Sequence, residues 1–380
     1  MLTAHPRAYE RTGNDQLADI PPSISVKRAF ALDSARHLAF RGRYLRSLAL
    51  PDRWVSWWLG ATLTGLSIIR QFRPDILWTT YPIATANLIG ISLQKFSGLP
   101  WVADLRDSMT EPGYPSDPTV RRMFEWIERK TVERAERVVF TARGARQMYA
   151  ERYPHVVPGK WAVIPNGYDE KSFDLAEKNL ADYPTARKSG DWSKIVLVHS
   201  GVLYPSERDP RCFFEALREL KNEKQLDATQ LHVKLRATGH DALFENMISD
   251  YGIADIVTLE PAVSYQDALT EMLEVDGLLL FQASNCNHQI PAKLYEYMRS
   301  GTPMLALTDP AGDTAAVMSE AGMHTIVRLD DKDEIKVNLI EFVKMIRHRT
   351  APLCSPEMVS SYSREAQTAR LADLLDDLVS

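Results

Sequence analysis

Along this chain, short apolar runs rich in β-branched and aromatic residues alternate with longer stretches whose apolar positions recur every three or four residues. ILWTTY (76–81), PWVADL (100–105), RVVFTA (137–142) and WAVIPN (161–166) form a first series of runs. A second comprises IVLVHSG (195–201), LHVKLRATG (231–239), IVTLEPA (256–262), GLLLFQA (277–283) and MLALTD (304–309). The first series lacks strict alternation, which predicts parallel strands covered on both faces. Helical patterns lie between, such as RCFFEALRELKNEK (211–224) and SYQDALTEMLEV (264–275), the latter opened by Ser264 as an N-cap. Strands joined by helices of this length are βαβ units, so the pattern predicts an α/β protein with two doubly wound parallel sheets. Residues 167–194 are polar and weakly periodic, with Gly167, Pro184 and Gly190, and read as the linker. The expected organisation is a first domain over 1–170, a second over 171–355, and a closing helix over 356–380 packed back on the first.

Composition narrows the function classes. Apolar residues at 45%, charged residues at 25% and 380 residues in all describe a folded globular chain long enough for two cores. A formal charge of -5 gives no basic footprint, which argues against nucleic acid as a partner. Cys212, Cys286 and Cys354 are odd in number and far apart, which fits a reducing compartment, the cytoplasm, and supplies neither a disulfide framework nor zinc spacing. WVSWWLGATLTGLSII (54–69) falls short of the roughly 20 apolar residues that span a bilayer. The Asp-x-Asp within DDKDE (330–334) precedes an amphipathic run and reads as helix-start acid, so no metal site is expected. No HExxH and no Gly-x-Ser-x-Gly elbow occurs.

Ligands of open α/β sheets bind beyond the carboxyl ends of strands, and the candidate residues follow from that rule. In NHQIPAKLYEYMRSGTPMLAL (287–307), a short helix from Pro291 to the Gly301/Pro303 stop carries Lys293 and Glu296 on one face, and its N-terminus favours a phosphate. An ionised carboxylate accepts both hydroxyls of a cis-diol, so Glu296 suits a ribose, although from this segment alone a solvated Glu–Lys pair is the preferred reading. HSGVLYPSERDPRCFFEAL (199–217) runs strand, glycine, loop, helix, with Arg208 and Arg211 in the loop, and an arginine fork suits a diphosphate. PWVADLRDSM ends a strand on Asp104, Arg106 and Asp107, either cleft residues or an Arg–Asp pair that holds the loop.

The ordered set PDILWTTYP, LPWVADLRDSM, AERVVFTA, VIPNGYDEKSF, LVHSGVLYPSERDP and IPAKLYEYMRSGTPMLAL resembles a retaining family-4 glycosyltransferase of the GT-B fold, of the kind that builds bacterial surface polysaccharides. The resemblance runs from about residue 70 to the carboxyl end. It implies two Rossmann-like domains facing a cleft, with a nucleotide-diphosphate sugar on the second, the acceptor on the first, transfer with retention, and no cofactor or bound metal. By that resemblance Glu296 takes the ribose, Arg208 stands in for a diphosphate-binding lysine, and Gly201 lets the backbone approach the phosphates. Lys293 would assist Arg208, and His288 occupies the place of a first glutamate often found there, so contact with the transferred sugar is not carried over. Asp104, Arg106 and Asp107 fall on the acceptor side. Thr80 and Tyr81 stand where a histidine is common.

Compared with that family, MLTAHPRAYE looks like the end of a second strand, so a first strand and glycine-rich loop of about 40 residues are missing from the expected pattern. Trp54, Trp57 and Trp58 fit a core face; with Arg43, Arg46 and Arg53 nearby they also suit peripheral contact with anionic lipid at the inner face of a membrane, in keeping with a glycan or lipid-linked acceptor. Two rivals share the architecture: a nucleotide-sugar 2-epimerase-type enzyme, and a silent GT-B remnant that binds nucleotide or a protein partner.

Overall fold

The computed structural model describes residues 1–182 and 194–379, except 11, 13–16, 18 and 19. It divides into two compact units, one of residues 1–141, 145–164 and 371–380, the other of 142–144 and 165–370.

In the first unit, β3 (Leu77–Tyr81), β4 (Trp101–Leu105), β5 (Arg137–Phe140) and β6 (Trp161–Val163) form a parallel sheet in sequence order, preceded by a separate parallel pair, β1 (Leu2–Ala4) and β2 (Lys27–Ala29). β4 is buried along its whole length, as an apolar run covered on both faces should be. The Lys-Arg-Ala of β2 has no apolar run to announce it. α1 (Ser34–His37) is a single turn capped by Asp33, and α2 (Ser56–Phe72) follows. α3 (Ala84–Ser97) is capped from outside its own sequence, because both Asp52 carboxylate oxygens accept from Thr85, Oδ2 from its N–H (2.8 Å) and Oδ1 from its hydroxyl (2.9 Å). Gly90 brings α3 onto the sheet, since a Cβ there would lie 2.4 Å from the Trp101 ring. α4 (Pro118–Arg134) opens on Asp117 as N-cap with proline in its first turn, and α5 (Arg143–Arg152) closes the series.

The second unit holds β7 (Ile195–Ser200), β8 (Leu231–Arg236), β9 (Val257–Glu260), β10 (Gly277–Phe281), β11 (Met304–Leu307) and β12 (Ile326–Val327) in the parallel order β12-β11-β10-β7-β8-β9. α7 (Arg211–Asn222) buries Phe213, Phe214, Leu217 and Leu220, the apolar stripe of its helical period, in the main core. α8 (Asp241–Tyr251), α10 (Lys293–Ser300) and α11 (Asp313–Glu320) alternate with the strands. So do α9 (Tyr265–Glu274), whose Ser264 hydroxyl accepts from the Asp267 N–H (3.1 Å), and α12 (Lys332–His348). α13 (Pro356–Ser361) and α14 (Arg364–Val379) end the described chain.

The expected fold class, α/β with two Rossmann-like parallel-sheet units, is what the structure contains. All nine predicted strands are present, most of them shorter at the carboxyl end, where the chain leaves the sheet into loops. The predicted linker needs correction: α6 (Glu170–Asp182) occupies its first half, and residues 183–193 lie outside the described residues.

Candidate functional site

At the carboxyl end of β7 the second unit assembles a cation from three elements. Lys293, first residue of α10, donates from Nζ to the Ser200 carbonyl (2.6 Å) and lies 3.2 Å from Nε2 of His199. His199 is completely buried, and its Nδ1 lies 2.9 Å from the Leu279 carbonyl of β10. A carbonyl only accepts, so Nδ1 carries the proton and Nε2 presents its lone pair to the lysine. Burial, then the charge of Lys293, hold the His199 imidazole well below its ordinary pKa, so it stays neutral.

Lys293 is shifted too: burial first and the Arg208 charge second push it down to about 7, with Glu296 opposing. Gly201 follows β7 with φ 110, where a side chain is strained, and a Cβ on it would lie 2.9 Å from Lys293 Nζ. The backbone conformation favours glycine there, and a side chain would also displace the flexible end of Lys293. Arg208 reaches back over the same loop, donating from Nη1 to the Val202 carbonyl (2.7 Å), with its guanidinium 5.5 Å from the centre of the Tyr204 ring. Glu296 accepts from the Tyr265 hydroxyl (2.9 Å), and burial raises its carboxyl above the usual range. Gly201, Arg208, Lys293 and Glu296 are thus linked by distance or by charge.

One expectation is corrected by this geometry. α10 starts at Lys293 and not at Pro291, and its first-turn amides of Leu294 and Tyr295 bond back to the Pro291 (2.9 Å) and Ala292 (3.2 Å) carbonyls. The helix terminus therefore offers less to an anion than its sequence suggested. Arg211 is engaged by Asp209 (Nε to Oδ2, 2.7 Å), beside a cavity of about 450 Å³ that Glu215 and Asp309 also line and in which Arg328 and Asp330 pair (3.2 Å). His288 stands beside Asp313, whose carboxyl is raised by burial and accepts from the Gly144 N–H (2.6 Å).

In the first unit, Asp104 sits opposite Thr80 in the sheet and accepts from its hydroxyl (3.1 Å). Burial raises the Asp104 carboxyl, with Arg106 opposing. Asp107 is accessible but crowded by protein on its other sides, and desolvation shifts it the same way. The loop bearing these residues is held by a buried network unseen in the sequence. Glu128 Oε1 accepts from Arg152 (2.7 Å) and Tyr153 (2.8 Å), and Oε2 from Thr110 (2.9 Å) and Tyr149 (2.8 Å). Tyr149 in turn accepts from the Met109 N–H (2.9 Å).

Among the described residues no group of His, Cys, Asp or Glu could hold a metal ion. Asp331 of the acidic run caps α12, accepting from the Glu334 N–H (2.9 Å). No described helix is long and apolar enough to cross a membrane.

Residues 22–167 match the model of a family described as Glycosyl transferase 4-like domain. No curated protein matches the sequence. Among solved structures, sucrose-phosphate synthase from Thermosynechococcus elongatus superposes with TM-score 0.62 at 15% identity, covering 100% of this chain and 88% of that one. Anabaena HepE in complex with UDP-glucose gives TM-score 0.61 at 14% identity, with 84% and 82% covered. A glycosyltransferase from Rickettsia africae gives 0.60 at 12%, with 86% and 82% covered. Identities this low establish the common GT-B fold and leave the chemistry to this chain's own residues.

Proposed function

We propose that this chain is a glycosyltransferase that moves a sugar from a nucleotide-diphosphate donor to a glycan or lipid-linked acceptor, with retention and without a metal. The observation that carries the reading is Lys293, whose Nζ lies over the left-handed glycine that follows β7, with Arg208 over the same loop. Burial first, and then repulsion from Arg208, is why the lysine gives up its proton so readily. An incoming diphosphate removes that repulsion, and the pair then stabilises the charge that grows on the leaving diphosphate as the sugar departs. Such stabilisation is the role a divalent cation has in other transferases, and no metal is invoked here. Glu296, held by Tyr265, is the acceptor for a ribose diol, and Asp104 with Asp107 orients an acceptor hydroxyl. The family match over residues 22–167 and the GT-B fold support the same reading, as do the free cysteines for the cytoplasm.

Isothermal titration with UDP and with GDP tests the donor site. One nucleotide should bind, and Lys293→Met, Arg208→Ala and Glu296→Ala should each weaken it by about 1–3 kcal/mol, the value of a charged hydrogen bond. Folded protein that binds neither nucleotide refutes the reading. Incubation with the cognate sugar nucleotide and an acceptor should give a new glycosidic linkage by NMR, whereas a C2-inverted nucleotide sugar would identify the epimerase-type rival.

A further inference from the structure

The tryptophans that the sequence offered for membrane contact are largely engaged. Trp54 and Trp57 pack against core residues of the first unit, Trp54 Nε1 donates to the Ala8 carbonyl (3.1 Å), and Arg53 pairs with buried Asp33. The exposed apolar surface lies just before them. From Arg36 to Leu48 nearly every residue is exposed; Phe40 is 78% accessible and Leu45 70%, with Leu38, Tyr44 and Leu48 also open. The same stretch carries Arg36, Arg41, Arg43 and Arg46, with no Asp or Glu between Ser34 and Pro51. Arg46 pairs with Asp117 and Arg36 donates to the Tyr9 carbonyl (2.6 Å), which leaves Arg41 and Arg43 at the tip as the cations beside the exposed Phe40, and an exposed apolar cluster next to such charge suits an anionic surface.

The segment is built, not frayed. Its base is tied by the Asp33 cap on Ala35 (2.9 Å) and by the Ser34 hydroxyl donating to the Leu48 carbonyl. Its tip is a tight turn closed by Phe40 N–H to Arg43 O (2.8 Å) and Arg43 N–H to Phe40 O (3.1 Å). Both central residues of the turn, Arg41 (φ 49) and Gly42 (φ 76), are left-handed, and the Arg41 guanidinium lies 5.5 Å from the centre of the Phe40 ring. The chain continues through Leu50 into an apolar groove of about 570 Å³ lined by Leu50, Val55, Trp58, Leu88, Met123 and Trp126. On α2, Leu59 and Leu63 are exposed as well.

We propose that residues 36–48 seat the first unit on an anionic lipid surface, with Phe40 and Leu45 entering the headgroup layer and Arg41 and Arg43 facing lipid phosphates. This goes beyond the transfer reading and stands without it, since none of these residues belongs to the nucleotide site.

Flotation of the full chain with vesicles tests it, using phosphatidylcholine alone and phosphatidylcholine with phosphatidylglycerol. Retention should appear on the anionic vesicles and fall with salt. Arg41→Glu/Arg43→Glu should lower the partition coefficient at least about 30-fold, since each basic residue near such a surface contributes about fivefold. Phe40→Ser/Leu45→Ser should also lower retention on the anionic vesicles. All these side chains are exposed, so circular dichroism and UDP titration should be unchanged, which separates this test from that of the donor site. No retention on anionic vesicles, equal retention on neutral ones, or full retention by both double variants overturns the proposal. So does concentration-dependent dimerisation that Phe40→Ser/Leu45→Ser abolishes in a chain that vesicles do not retain, which would give the surface to a second copy.

Discussion

Nucleotide affinity should depend steeply on pH above neutrality, and Lys293 should be the cause. With its pKa lowered to about 7, half of the free protein carries an uncharged lysine at pH 7 and about 1% carries a charged one at pH 9. A diphosphate needs the ammonium form, so binding must take up a proton. Across those two pH units the protonated fraction falls about 50-fold, worth about 2.3 kcal/mol of apparent binding energy. The window is clean, because the terminal phosphate has already ionised with a pKa of about 6 and His199 is held neutral throughout. Titration calorimetry in buffers of different ionisation enthalpy should report about half a proton taken up at pH 7, approaching one at pH 9. Lys293→Met should abolish both the uptake and the slope. Arg208→Ala should weaken binding yet move the slope to higher pH, because it removes the second largest cause of the lysine's shift. Affinity that is flat from pH 7 to 9, or a slope that survives in Lys293→Met, would refute the reasoning.

The same shift bears on the free protein. Its folded form binds fewer protons at Lys293 than the unfolded chain does between about pH 7 and 10, so urea denaturation should show this lysine's contribution raising stability with pH, and Lys293→Met should flatten it. Gly201→Ala should lower stability by about 1–3 kcal/mol from the strained backbone and weaken UDP binding more than tenfold by displacing Lys293, both measurable on one preparation. Glu128→Ala leaves the buried side of Arg152 without its carboxylate and should cost about 3–5 kcal/mol in denaturant titration. Asp331→Ala should cost about 1 kcal/mol as a lost helix cap and leave nucleotide binding unaltered; a binding defect would reopen the acidic run as a functional element.

Much of the fold was readable because parallel strands buried on both faces leave continuous apolar runs, and β7 and β10 are nearly uninterrupted ones. β2 and β12 escaped because two or three residues make no run. At the site, Gly201, Arg208, Lys293 and Glu296 were legible from their places after strands. His199 was missed because a histidine inside a buried strand looks like core, and its partner lies 94 residues away. Glu128 was missed for a similar reason: on α4 it repeats like any charged residue of an amphipathic helix, and only the fold brings Arg152, Tyr149, Tyr153 and Thr110 to it. Helix capping by Asp52 across 33 residues is equally invisible to local pattern. The tryptophans of 54–58 misdirected attention from Phe40 and Leu45, because periodicity registers which residues share a face and not which face the rest of the chain covers.

The depressed lysine has a consequence in reactivity. At neutral pH about half of Lys293 is a free amine, whereas an ordinary lysine exposes about one amine in 2,500. An amine-directed electrophile at limiting dose should therefore find this one side chain among all the lysines of the chain, and an aldehyde that also carries a phosphate should find it fastest, with Arg208 to receive the anion. Bound nucleotide should shield it, so that the yield of a single covalent adduct by mass spectrometry becomes a count of empty sites.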